Sequence, residues 1–303
     1  MSTLHIPSSC PAEEILMRTT HLGIGAHQDD LEFMAYHGIA TCYDSDRNWF
    51  TGVTCTSGGG SSRSGPFANH SDEEMQKIRH KEQIKSANIG KYAAQYQLGH
   101  SSAAIKGTGY SALVKELATI IQETQPTVLY THNPTDKHPS HLAVFAATLQ
   151  ALRTLPSALH PFTFLGCEVW RDLDWLPDQH KVRLDVSPYP ELASELNQCF
   201  QSQIAGGKNY HHAIIGRRTA HATFSDPHAG DEVSQLTFAL DLLPLLKKPS
   251  LSPAQYCSDL ITEFHEEVES GLGNYEECSF SHPLRFPENS EIHPSSLNPD
   301  GTN

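Results

Sequence analysis

Short β-type runs alternate with helix-type stretches along most of this chain, and this alternation limits the folds that it can adopt. The pattern predicts strands at 21–26, 49–56, 92–98, 127–130 and 162–170. It predicts helices at 31–43, 71–89, 113–121, 139–152 and 191–203. Strands joined by helical crossovers form parallel βαβ units with right-handed connections. We therefore predict an α/β fold: a Rossmann-like, doubly wound, mostly parallel sheet with helices on both faces.

The length of the chain and a change in composition near its end suggest the domain organisation. The chain is long enough to bury one substantial core, and we predict a single α/β domain over 1–282. Beyond about Pro283 the sequence becomes polar and rich in Pro, Ser and Asn. Residues 283–303 are therefore predicted to be an irregular C-terminal tail.

Charge and hydropathy exclude several classes of partner. The formal net charge of −14 argues against a nucleic-acid partner, which requires a basic surface. No apolar run approaches the roughly 20 residues that span a bilayer, and the N-terminus lacks the pattern of a signal peptide. The cysteines are odd in number and have no C-x-x-C spacing, which favours reduced thiols. We predict a cytoplasmic protein without a membrane partner, and the sequence leaves a homo-oligomer open.

Two clusters of ionisable residues each follow a predicted strand. His27, Asp29 and Asp30 follow the first strand, and His138 and His141 follow the strand at 127–130. Because parallel strands direct their carboxyl ends to one edge of the sheet, the clusters can meet there. Two imidazoles and one carboxylate, with a position left for water, form the ligand set of a catalytic zinc site. The remaining carboxylate and histidine would be free for proton transfer and oxyanion stabilisation.

Each cluster also has an ordinary structural explanation. Asp30 could cap the following helix, with His27 in solvent. His138 and His141 could be polar residues in a first helical turn. The occurrence of both clusters directly after strands favours the metal site.

The residues around both clusters resemble the motifs of a known enzyme family. The segment 26–32 reads A-H-Q-D-D-L-E and resembles the A-H-P-D-D-x-E signature of the PIG-L/LmbE-type de-N-acetylases. The segment 136–141 is similar to their second motif, often written H-P-D-H, and 78–82 resembles their R-x-x-E segment. The resemblance covers roughly residues 20–170.

This resemblance implies a ligand set and a reaction. It implies that His27, Asp30 and His141 bind Zn²⁺, although Fe²⁺ could occupy the same ligands. It also implies that Asp29 is the general base that takes a proton from the attacking water. A protonated His138 at a helix N-terminus would stabilise the oxyanion or help to protonate the leaving amine. The implied substrate is an N-acetylglucosamine-type amino sugar on a small-molecule conjugate.

Two positions depart from the motifs. Gln28 stands where the family usually has proline, and we expect little effect because this side chain is not a ligand. Ser140 replaces the aspartate often found between the two histidines. A carboxylate that would support the ligands is therefore missing at this position.

Arg63 and Trp170 are the predicted substrate-binding residues. Arg63 follows a flexible Gly/Ser loop, in a region where family members place substrate-binding arginines, and could bind a polar or anionic group. Trp170 could stack on a sugar face. A solvated arginine and a half-buried core tryptophan are the ordinary alternatives.

Two other functional classes compete with a zinc-dependent deacetylase. Non-haem iron oxygenases use two histidines and a carboxylate, often spaced H-x-D…H, and His27, Asp29 and His141 have this spacing. Those sites usually occur in all-β barrels, whereas this chain alternates between the two types of element. A non-catalytic sugar-binding module would have no use for paired aspartates beside a metal. We therefore predict a zinc-dependent hydrolase of a linear amide bond.

Overall fold

The fold was examined in a computed structural model that describes residues 2–7, 11–273 and 275. The chain divides into two compact units, Met1–Phe264 and His265–Asn303. All the described strands belong to the first unit. The predicted tail, 283–303, lies outside the described residues, so the domain boundary after residue 282 stays a prediction.

Eight strands form one sheet in the described part of the chain. They are β1 (Thr3–His5), β2 (His21–Gly25), β3 (Phe50–Thr56), β4 (Ala94–His100), β5 (Val128–His132), β6 (Thr163–Cys167), β7 (Lys181–Asp185) and β8 (Leu236–Asp241). Their order is β1-β4-β3-β2-β5-β6-β8-β7. The strands from β4 to β6 in this order pair in parallel, whereas β1, β8 and β7 pair antiparallel to their neighbours. The predicted, mostly parallel sheet is confirmed.

Helices cover both faces of this sheet. The described α-helices are α1 (Ala12–Met17), α2 (Asp30–Met34), α3 (Tyr36–Tyr43), α4 (Asp72–Ile89), α5 (Tyr110–Thr124), α6 (Pro139–Thr154), α7 (Pro190–Asn197), α8 (Gln201–Ile204), α9 (Tyr210–Thr223), α10 (Leu243–Lys247) and α11 (Pro253–Gly273). Short 3-10 helices lie at Gly65–Phe67, Ala104–Lys106, Ser157–Leu159 and Asp178–His180. None of the described helices is both long and apolar enough to cross a membrane.

The core is divided between the two faces of the sheet by the alternation of side chains along each strand. In β5, Leu129 packs in the cluster that contains Leu117 of α5 and Val144 of α6. The next residue, Tyr130, packs in the opposite cluster with Ile39 of α3. This two-sided burial is what a doubly wound fold requires, and β2 and β3 are accordingly buried along their whole length.

The structure differs from the predicted elements in three respects. The predicted helix 191–203 is two helices, α7 and α8, because the backbone at Phe200 leaves the helical region (φ −92°, ψ 57°). The predicted helix 31–43 is two helices, α2 and α3, separated at Ala35, where the backbone leaves the helical region (φ −110°, ψ 17°). The antiparallel strands β1, β7 and β8 have no counterpart in the prediction. At the sheet edge, β7 carries charged residues that obscure the apolar signal of a strand.

The strand order creates a crevice between β2 and β5. From β2 the sheet continues outward through β3 and β4 on one side, and through β5 and β6 on the other. The connections that follow β2 and β5 therefore run in opposite directions along the sheet. Ligands of open α/β sheets bind outside the carboxyl ends of two strands related in this way.

Candidate metal centre and active site

The two predicted clusters lie side by side at the carboxyl ends of β2 and β5. Asp30 is the first residue of α2, which begins shortly after β2 ends. His138 caps the N-terminus of α6, where its Nδ1 accepts a hydrogen bond of 3.2 Å from the Ser140 N–H. Proline at the first position of a helix fixes the backbone for this start, and Pro139 occupies it here. His141 therefore lies in the first turn of α6.

The side chains of His27, Asp30 and His141 are close enough to share one cation. His27 Nδ1 is 3.3 Å from Asp30 Oδ2, and His141 Nε2 is 3.3 Å from Asp30 Oδ1. The two imidazole nitrogens, His27 Nδ1 and His141 Nε2, are 3.2 Å apart. Zinc bonds of about 2.0–2.1 Å in a tetrahedral site separate neighbouring ligand atoms by about 3.3–3.4 Å. The three residues therefore supply the donor types of a zinc site, and each histidine has this spacing to a different oxygen of Asp30.

The charges within this group suit a cation. Burial tends to raise the pKa of Asp30, but His141, His132 and His27 outweigh it and hold that pKa well below its usual range. Burial lowers the pKa of His141, but the carboxylates of Asp30 and Asp136 outweigh this effect and raise it to about 9. His141 is then an imidazolium between two carboxylates. A metal ion would replace that proton as the compensating charge.

His132, the last residue of β5, belongs to the site but was not predicted from the sequence. Its Nε2 is 3.3 Å from Asp30 Oδ2, and its ring stacks on His141 with 3.8 Å between ring centroids. With Asp30 and His141 it forms a second group close enough to hold a metal. However, the Ala26 N–H donates to His132 Nε2 at 3.0 Å, which occupies the lone pair that a metal would need. We therefore assign His132 to supporting Asp30 and His141.

His138 lies beside His27 and His141, close enough for the three rings to share a cation. Ligand atoms of His27, His138 and His141 all lie within 4.8 Å of one another. Burial, reinforced by His141 and His27, lowers the pKa of His138 to about 4. Because Nδ1 accepts from the Ser140 N–H, the neutral ring carries its proton on Nε2. The structure thus favours a neutral Nε2–H donor over the protonated form that the sequence suggested.

Asp29 occupies a strained and buried position beside the three ligands. Its φ of 106° is unusual for a residue with a side chain, and such strain concentrates at functional sites. Its Oδ2 is 3.5 Å from Nη2 of Arg79, which also donates to the Gln28 carbonyl. Burial raises the pKa of Asp29 to about 8; Arg79 opposes this shift, and Asp30 and Glu32 reinforce it. A carboxyl with this pKa is suited to proton transfer near neutral pH.

The R-x-x-E segment ties two other parts of the chain to this site. Arg79 is almost completely buried and reaches the 27–30 segment. Three residues later, Glu82 accepts hydrogen bonds from the Ser202 N–H at 2.7 Å and from its hydroxyl at 2.6 Å. Helix α4 therefore links the 27–30 segment after β2 to α8.

Asp136 joins three parts of the site through one carboxylate. Its Oδ2 lies 3.3 Å from His141 Nδ1 and accepts a hydrogen bond of 3.1 Å from the Trp170 N–H. Its Oδ1 accepts a hydrogen bond of 2.8 Å from the His138 N–H. Asp136 therefore supplies a carboxylate beside the ligands, although Ser140 replaces the usual aspartate. The Ser140 hydroxyl is buried and has no hydrogen-bond partner among the described residues.

We expect Asp136→Asn to weaken metal affinity by about 10–100-fold, because a carboxylate behind a metal-binding histidine orients the ring and raises its basicity. Competition with a chromophoric chelator measures this change. The exposed Asp46, between α3 and β3, provides the matched control Asp46→Asn. Equal metal affinity in Asp136→Asn and the wild type would restrict Asp136 to a purely structural role in its loop.

A cavity of about 680 Å³ opens in front of these residues. Trp170 lines it, with its ring centroid 6.3 Å from that of His138, and Tyr210 of α9 meets Trp170 edge-on. Arg63 is not among the lining residues: its Nη2 donates to the Gly59 carbonyl at 2.9 Å and pairs with Asp72. The structure therefore brings Trp170, but not Arg63, to the predicted centre.

Comparison with known proteins gives one family match. Residues 22–152 match the family described as PIG-L: GlcNAc-PI de-N-acetylase. This range contains both histidine clusters and bears out the resemblance found in the sequence. A search of curated proteins gave no significant match.

Solved structures with this fold include enzymes of different activities. The N,N'-diacetylchitobiose deacetylase from Pyrococcus horikoshii is 16% identical, with a TM-score of 0.60 over 76% of this chain and 85% of that one. The conserved protein TT1542 from Thermus thermophilus is 17% identical, with a TM-score of 0.59 over 75% and 95%. The 4-carboxy-2-hydroxymuconate hydratase GalB from Pseudomonas putida is 15% identical, with a TM-score of 0.57 over 74% and 96%. At these identities the likeness establishes the α/β fold, and the reaction must be argued from the site.

Proposed function

We propose that this chain, which carries the PIG-L family match over residues 22–152, is a metal-dependent deacetylase. It removes the N-acetyl group from an N-acetylglucosamine-type amino sugar on a small-molecule conjugate. The observation that carries this proposal is that His27 Nδ1 and His141 Nε2 lie 3.2 Å apart, and that each lies 3.3 Å from a different oxygen of Asp30. The sugar is proposed from the family, whereas the hydrolytic chemistry is proposed from the residues.

Two nitrogens and a carboxylate are the donor set of catalytic zinc, and Fe²⁺ could bind the same residues. A divalent cation at this position supplies polarisation of the amide carbonyl and a bound water of lowered pKa. His27, Asp30 and His141 would hold it.

The remaining side chains have separate tasks in amide hydrolysis. Asp29 accepts a proton from the water that adds to the acetyl carbon. The neutral His138 donates its Nε2–H to the carbonyl oxygen as negative charge develops there. When the C–N bond breaks, Asp29 returns the proton to the amine, so that acetate and the free amino sugar leave. Arg79 keeps the Asp29 carboxyl in place through the contact at 3.5 Å.

The competing classes receive less support from the same residues. An oxygenase triad of His27, Asp29 and His141 would need the Asp29 carboxylate beside both imidazoles. Asp30 has that position, and Asp29 lies against Arg79. A non-catalytic module would give no reason for a strained, buried Asp29 beside the cation ligands.

The proposal predicts that purified protein contains about one equivalent of metal and releases acetate from N-acetylglucosamine conjugates. Metal analysis of each preparation and an acetate assay over a panel of neutral and charged glycosides test it. Stoichiometric metal without acetate release from any glycoside would overturn the proposal. Oxygen consumption with a 2-oxo acid would favour the oxygenase instead.

A further inference from the structure

The lining of the catalytic cavity carries more basic than acidic side chains, although the chain as a whole is strongly acidic. Both carboxylates that line the cavity, Asp29 and Asp30, have roles in the proposed reaction. Besides Arg79, the lining carries the basic residues Lys106, Lys208 and Arg217. With a formal net charge of −14, the average composition of this chain does not explain this excess of cations in the cavity.

None of these three cations forms an ion pair with a carboxylate among the described residues. Ion pairs of lysine and arginine side chains with carboxylates, in the part of the chain that the structure describes, involve Arg18, Arg63, Arg79, Lys91 and Lys181. Lys106, Lys208 and Arg217 take part in none of these pairs. Unpaired cations at the mouth of a cavity attract an anionic ligand and strengthen its binding.

Two of the three cations contact Trp170 or the residue before it. Lys208 Nζ lies 5.3 Å from the centroid of the Trp170 ring. Arg217 Nη1 donates a hydrogen bond of 2.6 Å to the carbonyl of Val169, the residue before Trp170, which holds the guanidinium in place. Because the Trp170 ring also stacks near His138, a sugar bound at Trp170 would lie near both His138 and Lys208.

The cations also come from a part of the chain outside the family match. The match ends at residue 152, whereas Lys208 lies between α8 and α9 and Arg217 lies within α9. The residues that recognise the conjugate can therefore differ from other members of the family while the catalytic residues are retained.

We propose that Lys208 and Arg217, assisted by Lys106, form an anion subsite, so that the conjugate attached to the amino sugar carries a carboxylate or a phosphate. This proposal rests on the proposed deacetylase function. Arg217 offers a planar fork that suits either anion, and Lys208 offers a point charge that adapts to both.

The test compares matched glycosides of N-acetylglucosamine. The methyl glycoside is neutral, the carboxymethyl glycoside adds a carboxylate, and the 1-phosphate adds a phosphate. We expect kcat/KM to be at least about tenfold higher for one or both anionic compounds than for the methyl glycoside, because hydrogen bonds to charged groups are the stronger ones. The preferred anion distinguishes carboxylate from phosphate recognition, and added salt should reduce the preference.

Charge-removing variants connect that preference to the named residues. In Lys208→Gln and Arg217→Gln, the ratio of kcat/KM for the preferred anion to that for the methyl glycoside should fall about tenfold, mainly through KM. Lys115→Gln, an exposed lysine of α5 outside the cavity lining, should keep the wild-type ratio. Equal kcat/KM for all three compounds, or an unchanged ratio in both variants, would overturn the anion subsite and leave the deacetylase function intact. Absence of acetate from every compound would instead refute the proposed function.

Discussion

Asp29→Asn is expected to lower kcat by about 10²–10⁴-fold while leaving metal content near that of the wild type. The amide cannot accept the proton of the attacking water, and general-base catalysis contributes a factor of this size. The Asp29 carboxyl contacts Arg79 and not the three ligand side chains, so the metal should stay bound. Asparagine is suitable here because it tolerates the positive φ of 106° better than most residues.

The assay pairs acetate release with metal analysis of the same preparation. The exposed control Asp46→Asn makes the same change of charge and should keep wild-type activity. Loss of metal in Asp29→Asn would mean that Asp29 is itself a ligand, and the division of tasks between the two aspartates would be wrong. Full activity would exclude Asp29 as the base.

Asp30→Asn is expected to weaken metal binding by more than about 100-fold, which exceeds the effect expected for Asp136→Asn. The neutral amide replaces an anionic ligand whose oxygens lie 3.3 Å from His27 Nδ1 and His141 Nε2. Activity should fall together with metal occupancy and recover in part at high metal concentration.

Thermal unfolding separates loss of the ligand from loss of the fold. A ligand that binds only the folded state raises the midpoint temperature. Added zinc should therefore raise Tm of the wild type and of Asp29→Asn but not of Asp30→Asn. An equal rise in Asp30→Asn would show that another group holds the metal, and His138, which lies close to His27 and His141, would then be the candidate.

A large part of the fold and of the catalytic centre could be predicted because both have local signals. Apolar periodicity and turn residues identify β2 to β6 and most of the helices between them. The motifs around His27 and His141 identify a pair of clusters, and the rule for parallel strands predicts where they meet. The resemblance to the family then implies that Asp30 is a metal ligand and Asp29 the general base. The spacing of the two residues alone does not say which aspartate has which role.

Other parts of the site have no local signal. His132 is one of many histidines in the sequence, and only the pairing of β5 beside β2 makes it a neighbour of Asp30. The sequence predicts that Arg63 binds substrate, but its contact with Asp72 depends on how the loop after β3 returns to α4. Lys208 and Arg217 come from a region without motifs, and their relation to Trp170 depends on the packing of α9.

The sequence by itself determined the class of fold, the two clusters and the residue types available for catalysis, because periodicity and motif spacing are properties of neighbours along the chain. Only the tertiary structure decided which oxygen faces which nitrogen, that Asp136 supplies a carboxylate behind His141, and that Lys208 lies close to the Trp170 ring. Those relations join residues that are distant in sequence. They depend on strand register and on helix packing. Both are set by contacts along the whole chain, so a short segment of sequence does not predict them.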